Sequence, residues 1–314
     1  MAYTLRPCVI PDDCVRMAEI NSAVNPEPVT GEQVAEQYRH MPPNTVICPV
    51  MAVGEAQYPV GFGVTRHFAH DAPGRFFIRV STDPRFRRQG AGGLMYEHME
   101  GFAREHGATI LSTMVRENDP ASLAFAEKRG FTVDRHTFES TLDLTQFDEG
   151  PFVGAVEAVG ATGIRFFSLA EDPSEANIRR YYDTVWSLST DVPGLTLISP
   201  PPYETWAEHA LKGPRVRQDL LLGAADGDRW VGFVMNHVSP VNGSVYNGGT
   251  AVDRAYRGRG IALALKLLAI RRARATGVPY MRTNNDSTNA PMLAVNRKLG
   301  YQPAPGTYDL IKQL

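Results

Sequence analysis

Hydrophobic positions along the chain fall into two series with the same order. In each, a short extended run (Leu5-Arg6, Ile164-Arg165) meets an Asp/Pro turn and then a helical pattern, over 13–24 and over 174–188. Strand patterns follow at 50–53 and 60–64 in the first series, and at 219–225 and 230–237 in the second. A strand then enters a glycine-rich turn (76–82, 245–252), and a long helix comes next (91–106, 261–276). Gly107 and Gly277 stand where a helix-closing glycine belongs. A further strand, a shorter helix and a Gly-Phe or Gly-Tyr pair complete each series. Strands alternating with helices predict α/β or α+β domains.

The likeness of the two series is a repeat. A shift of 170 residues places Asp83, Arg87 and Gly90 on Asp253, Arg257 and Gly260. The same shift places Thr113 on Thr283, and Leu123, Ala124, Lys128 and Gly130 on Leu293, Ala294, Lys298 and Gly300. Upstream, at a shift of 171, Val60-Gly61-Phe62 meets Val231-Gly232-Phe233. A period this long implies a duplicated domain, since solenoid units run to about 20–50 residues. The turn-rich stretch Asp148-Glu149-Gly150-Pro151 suggests domains of 1–148 and 149–314.

Composition narrows the function. Lys plus Arg is 32 and Asp plus Glu is 34 in 314 residues, so no global basic field exists to draw nucleic acid or an anionic membrane. The basic run Arg271-Arg272-Ala273-Arg274 lacks interleaved aromatics and reads as a solvated helix face. The longest apolar run, 261–270, is short and carries Lys266, and the N-terminus has no basic segment followed by an apolar one. A cytoplasmic protein is expected. Cys8, Cys14 and Cys48 form no Cys-x-x-Cys pair, and His67 and His70 have no further ligands beside them, so neither a disulfide framework nor a metal site is expected.

The chemistry sits in the repeated turn. It reads Arg257-Gly258-Arg259-Gly260-Ile261-Ala262 in the second half and Arg87-Arg88-Gln89-Gly90-Ala91-Gly92 in the first. A strand ends, glycines turn the backbone, and a helix begins with free N–H groups at the positive end of its dipole, which suits a pyrophosphate. The turn lacks Gly-Lys-Ser/Thr, and it lacks the third glycine and ribose acid of a dinucleotide fingerprint. About thirty residues on lies Asn289-Ala-Pro-Met-Leu-Ala-Val-Asn296-Arg-Lys-Leu-Gly300-Tyr301. Together these motifs resemble the GNAT superfamily of acyl-CoA-dependent N-acetyltransferases. The tandem order is similar to that of mycothiol synthases and natural-product acetyltransferases of actinobacteria.

The resemblance implies two tandem domains, each a mixed, mostly antiparallel sheet flanked by helices, with acetyl-CoA as co-substrate and no metal. It places the pyrophosphate on Arg257 to Ala262 and on Arg87 to Gly92. It places the pantetheine arm on the strand edges Thr250, Ala251, Val252 and Val80, Ser81, Thr82, and gives Asn289 a contact to that arm, with Asp119 as its counterpart. The Tyr that often protonates the leaving thiolate is replaced by Asn296 and, in the first half, by Ala126. Neither is a proton acid. The resemblance makes the second half catalytic and the first degenerate, structural or CoA-binding.

For the amine, Asp191 lies where the family builds its acceptor site, Tyr246 precedes the cofactor strand, and Glu204 and His237 are further candidates. Pro200-Pro201-Pro202 with Tyr203 and Trp206 reads as a stiff linker closing one wall of the acceptor pocket. The expected activity is transfer of acetyl to the amine of a small molecule by direct attack. The missing Tyr in both halves supports another class, a non-catalytic acyl-CoA-binding or sensing protein. The acceptor and the oligomeric state are not legible in the sequence.

Overall fold

The structure is a computed structural model that describes residues 2–24, 28–191, 200–211, 217–238 and 244–314, without the side chains of residues 209 and 210. In chain order the first elements are β1 (Thr4–Pro7), α1 (Cys14–Ser22), α2 (Gly31–Arg39), β2 (Val46–Val53), β3 (Pro59–His67), β4 (Arg75–Thr82), α3 (Ala91–Glu105), β5 (Ile110–Arg116) and α4 (Pro120–Glu127). Next come β6 (Thr132–Asp143), α5 (Ala155–Gly160), β7 (Ile164–Ser168), α6 (Glu175–Ser189), α7 (Tyr203–Leu211), β8 (Leu221–Asp226), β9 (Arg229–Val238) and β10 (Val245–Val252). The chain closes with α8 (Ile261–Ala275), β11 (Tyr280–Asp286), α9 (Ala290–Lys298), β12 (Gln302–Pro303) and β13 (Thr307–Gln313). Among the described residues no helix is long and apolar enough to cross a membrane.

Two compact units form, and they are not the two sequence halves. One holds residues 1–135 and 307–314, the other 136–306. The first unit's sheet runs β1-β2-β3-β4-β5-β13, and the second's runs β11-β10-β9-β8-β7 from β6 inward, with β12 added to β6. Neighbours are antiparallel except β4 with β5 and β10 with β11. At the repeat's shift, 132–143 corresponds to 302–313, so β13 stands in the first unit where β6 stands in the second. Residues 137–143 pair with β11, and 307–313 pair with β5. Each repeat's last strand completes the other repeat's unit. The join at 148/149 therefore lies inside the second unit, because strand pairing follows the sheet edge and not the duplication.

The cores confirm that membership. Leu310 of β13 is buried with Phe76, Met95, Met99 and Leu111 beneath α3, and Leu142 of β6 with Val234, Leu265, Ile270 and Met281 beneath α8. On the other face of the first sheet, α1 and α2 bury Met17, Ile20 and Val34 on Met51 and Phe62. A capping box at Thr30 and Gln33 starts α2. On the other face of the second sheet, α6 and α7 bury Tyr181, Val185 and Trp206 on Phe233. Of the stretch read as a stiff linker, Pro200 to Pro202 stand just ahead of α7, and Tyr203 and Trp206 lie in it. The Pro202 carbonyl accepts from Trp206 N at 3.0 Å, and the Trp206 ring packs 5.3 Å from that of Tyr182.

The exchange of strands makes the halves mutually dependent for folding. A fragment of residues 149–314 expressed alone lacks β6 and carries β13 without β5; circular dichroism and light scattering should show an aggregated or loosely packed species. A monomeric fragment with the thermal unfolding of the intact chain would refute that dependence.

Candidate functional site

The site is built where two strands part. β10 pairs with β11 only at Val245, Tyr246 and Asn247, opposite Met281, Arg282 and Thr283. Beyond that point β11 continues along β6, and β10 stays with β9 through Val252. Gly249 to Val252 therefore have an open hydrogen-bonding side within the sheet, and open N–H and C=O groups need a partner. At the same point β10 shifts register against β9 between Asn247 and Gly249, a β-bulge.

The turn after β10 is held from below. Asp253 caps its short helical turn through Ala255 N at 2.9 Å and pairs with Arg229 at 2.7 Å, and Arg257 Nε donates to the Val252 carbonyl at 3.0 Å. Gly258 (φ +78°) and Gly260 (φ +80°) adopt the left-handed conformation. No side chain caps α8, so its first N–H groups stand uncapped. A cavity of about 300 Å³ lies here, bordered by Thr250, Val252, Gly258, Ala262, Asn289 and Met292. Uncapped helix N–H groups, an open strand edge and side-chain-free glycines fit a pyrophosphate with a pantetheine arm behind it.

Thr250, Ala251, Val252, Arg257, Gly258, Gly260, Ile261, Ala262 and Asn289 border the cavity. Arg259 sits on the same turn, with its guanidinium over the Tyr256 ring at 4.7 Å. Asn289 also caps α9, its Oδ1 accepting from Met292 N at 3.3 Å. Asp191 borders the cavity at its phosphate end, and its two oxygens accept from Arg254 (2.5 and 2.8 Å) and Arg257 (2.8 Å). Hydrogen bonding to Arg254, with the charges of Arg254 and Arg257, holds that carboxyl below the usual range. Such a carboxylate is a weak base, set against an anion-binding turn.

Tyr246 is half-buried beside His237, ring centres 5.1 Å apart, and burial raises its phenol above the ordinary value. Asn296 does not border the cavity. It is 3% exposed, and its Nδ2 donates to Asn285 Oδ1 at 2.7 Å. Among the described residues its Oδ1 has no partner. Arg254, Met292 and Val295 are site residues that the sequence reading did not single out. For Met292 and Val295 a signal was available, since α9 places them one turn apart; Arg254 has Pro84 as its counterpart, so the repeat gave no signal for it.

The first unit repeats the turn and the parting of its strands, but not the bulge or the side chains beside them. Gly90 (φ +99°) keeps the left-handed turn, and Arg88 (φ +63°) holds it without a glycine. Arg87 Nε reaches the Thr82 carbonyl at 3.4 Å, Gln89 accepts from Tyr3, and Ala91 begins α3. Val80, Ser81 and Thr82 lie past the last β4–β5 pair at Phe77. Phe125, at the place of Val295, packs against this edge: a Cβ on Gly92 would meet it at 3.5 Å and Val80 at 3.6 Å. The Arg129 guanidinium covers the Phe125 ring at 3.5 Å. Asp119 caps α4 through Ser122 N at 3.0 Å, as Asn289 caps α9. The first unit's β4 and β3 pair without a register shift.

Residues 15–131 and 183–301 each match the acetyltransferase (GNAT) family. No curated protein matches the chain. A GCN5-related N-acetyltransferase of Sphaerobacter thermophilus shares the fold at 19% identity, covering 99% of this chain and 95% of its own, with a TM-score of 0.66. A tandem GNAT protein from the clavulanic acid biosynthesis pathway does so at 19% identity, 99% and 98% coverage and a TM-score of 0.63. A repeated strand, glycine turn and uncapped helix, with a family match in each half, leave one conclusion: the chain belongs to the GNAT acetyltransferase family, in its tandem, two-domain form.

Proposed function

We propose that the second unit binds acetyl-CoA and transfers its acetyl group to the amine of a small-molecule acceptor by direct attack, with the first unit serving as scaffold. The observation that carries this reading is the asymmetry of the repeat. The cavity opens between β10, the 257–262 turn and α9, whereas Phe125 and Arg129 occupy the corresponding place in the first unit. Bound CoA would lay its pyrophosphate on the uncapped N–H groups of α8, with Arg257 and Arg254 adding charge. The pantetheine amides would complete the open side of Thr250 to Val252. Positioning the amine beside a thioester in a site of this kind supplies much of the rate acceleration. Cys8, Cys14 and Cys48 all belong to the first unit, so an acyl-cysteine intermediate in the second has no support.

Gly258 is the position that tests the anion site. A Cβ at Gly260 would lie 3.2 Å from Val159, so its replacement disturbs packing, whereas a Cβ at Gly258 meets nothing within 4 Å. Aspartate also tolerates the left-handed conformation. In calorimetry, Gly258→Asp should weaken CoA binding by roughly tenfold or more, the cost of one charge repulsion of about 1–2 kcal/mol. Arg88→Asp in the first unit should leave it within about twofold. Equal losses from the two would refute the assignment to the second unit. Thiol release with a panel of amines distinguishes transfer from mere binding: CoA bound with no thiol released under any amine would favour a sensing protein.

The placement of Asp191 yields a second test. Asp191→Asn frees Arg254 and Arg257, so the acetyl-CoA KM should move while kcat stays within about threefold. A kcat loss of a hundredfold or more at unchanged KM would make Asp191 the base instead.

Proton handling is the third. CoA thiol leaves as the anion near its pKa of about 8.5, so loss of the acceptor's proton should limit the rate. The kcat/KM profile should rise with pH through one ionisation, with no falling limb below about pH 9. Tyr246, its phenol raised by burial, stays protonated throughout that range. Asn296→Ala should cost at most about tenfold, the value of one neutral hydrogen bond. A falling limb abolished by Tyr246→Phe would identify a general acid there.

A further inference from the structure

Beneath the bulge of β10 lies a charge-bearing group that the reading above does not use. Lys266, in the middle of α8, is 1% exposed, and its Nζ donates to Asn247 Oδ1 at 3.0 Å. Asn247 is itself buried and is the last residue of β10 to pair with β11. Its Oδ1 also accepts from Thr250 Oγ1 at 3.1 Å, and Thr250 borders the cavity. Its Nδ2 donates to the carbonyl of Gly249 at 3.2 Å, to that of Met235 at 3.3 Å and to Asn236 Oδ1 at 3.1 Å. Gly249 is where the register with β9 resumes opposite Met235. One carboxamide therefore stitches the bulge shut on the helix side.

An amide can sit either way round, and its hydrogen-bond partners decide which. Lys266 Nζ keeps an N–H to donate in either protonation state, and with oxygen toward the helix Nδ2 is left toward the bulge carbonyls. An unpartnered buried amine is costly, and the elements around α8 do little to offset it. α5 presents Val159, β8 Leu222 and Ala224, β9 Val231, Val234 and Asn236, and β10 Val245 and Asn247. Tyr301 is a titratable neighbour, its ring 4.9 Å from Nζ. Burial alone lowers the lysine to about 7.

The first unit shows what this place looks like without the device. Tyr96 stands at the position of Lys266, Phe77 at that of Asn247, Val115 at that of Asn285 and Ala126 at that of Asn296. The ammonium that does reach Tyr96, from Lys312, is paired with Glu100 at 2.8 Å. That acid's counterpart beside Lys266 is the buried Ile270.

We infer that Lys266 is a positioning residue for acyl transfer, resting on the acyltransferase reading above: through the Asn247 carboxamide it holds the β10 bulge in the shape that sets residues 248–250 against the acyl group. Lys266→Met removes the donor and keeps the volume, and Lys266→Gln restores a neutral donor. Hydrogen exchange needs no acceptor, and amides of 245–252 should exchange roughly tenfold faster in Lys266→Met and near the wild-type rate in Lys266→Gln. Thiol release from acetyl-CoA, with glucosamine, lysine and spermidine as probes, should show kcat down roughly tenfold in the Met variant, with acetyl-CoA affinity within about threefold, and recovery in the Gln variant.

Melting supplies the sign of the charge. Between about pH 7 and the ordinary 10.5, the unfolded chain keeps a proton that the folded chain has shed, so wild-type stability rises with pH across that window and the Met variant loses the rise. Unchanged exchange and unchanged kcat in a folded Lys266→Met protein would overturn the inference. Wild-type protein releasing no thiol with any of the three amines would instead overturn the acyltransferase reading, and the catalytic part of this inference with it.

Discussion

The parting of β10 from β11 after three paired residues is the constraint on which the rest of the second unit depends. A sheet interior is ordinarily closed, because each strand's N–H and C=O groups are taken on both sides. Here β11 is drawn away along β6 while β10 stays on β9, so an edge opens in the middle of the layer. Everything that marks the site stands around that edge: the bulge at its start, the glycine turn at its end and the uncapped helix beyond. The exchanged strand matters for the same reason. Without β6, nothing would hold β11 away from β10.

Keeping an interior edge open imposes a cost that a packed core does not. The second unit meets it with a buried polar set. Asn247 ties to Lys266, Asn236 and Thr250, and Asn285 ties to Asn296 and Ser140. Each of these groups would be cheaper as a hydrocarbon unless its position served the site. The first unit has Tyr96, Val115 and Ala126 at the same places, and carries Phe125, under the Arg129 guanidinium, where the second has Val295. Both copies keep the Asp-capped turn and the left-handed glycine before the long helix, since those features stabilise the fold as well as a phosphate.

Local features were legible in the sequence wherever a side chain's role is set by its immediate neighbours. Gly260 and Gly90 before their helices, the helix-closing Gly107 and Gly277, and the strand 245–252 lie where the pattern put them. The duplication and the family follow from the same motifs, because backbone turns and helix starts depend on a few adjacent residues. Lys266, by contrast, stood in the sequence as a charge interrupting an apolar run, and nothing in its neighbourhood along the chain named Asn247 as its partner.

Only the tertiary structure decided the rest. Which strand completes which unit depends on a pairing between residues 137–143 and 280–286, far apart in sequence, so the duplication boundary could not reveal it. Asp191 sits on a loop that could have faced an amine; its two arginine partners come from a turn more than sixty residues later. Asn296, which the resemblance puts at the family's tyrosine position, is buried, bonds Asn285 and does not border the cavity. Periodicity and motif spacing determine elements and turns because those are governed by contacts along the chain. Site chemistry is set by contacts across it.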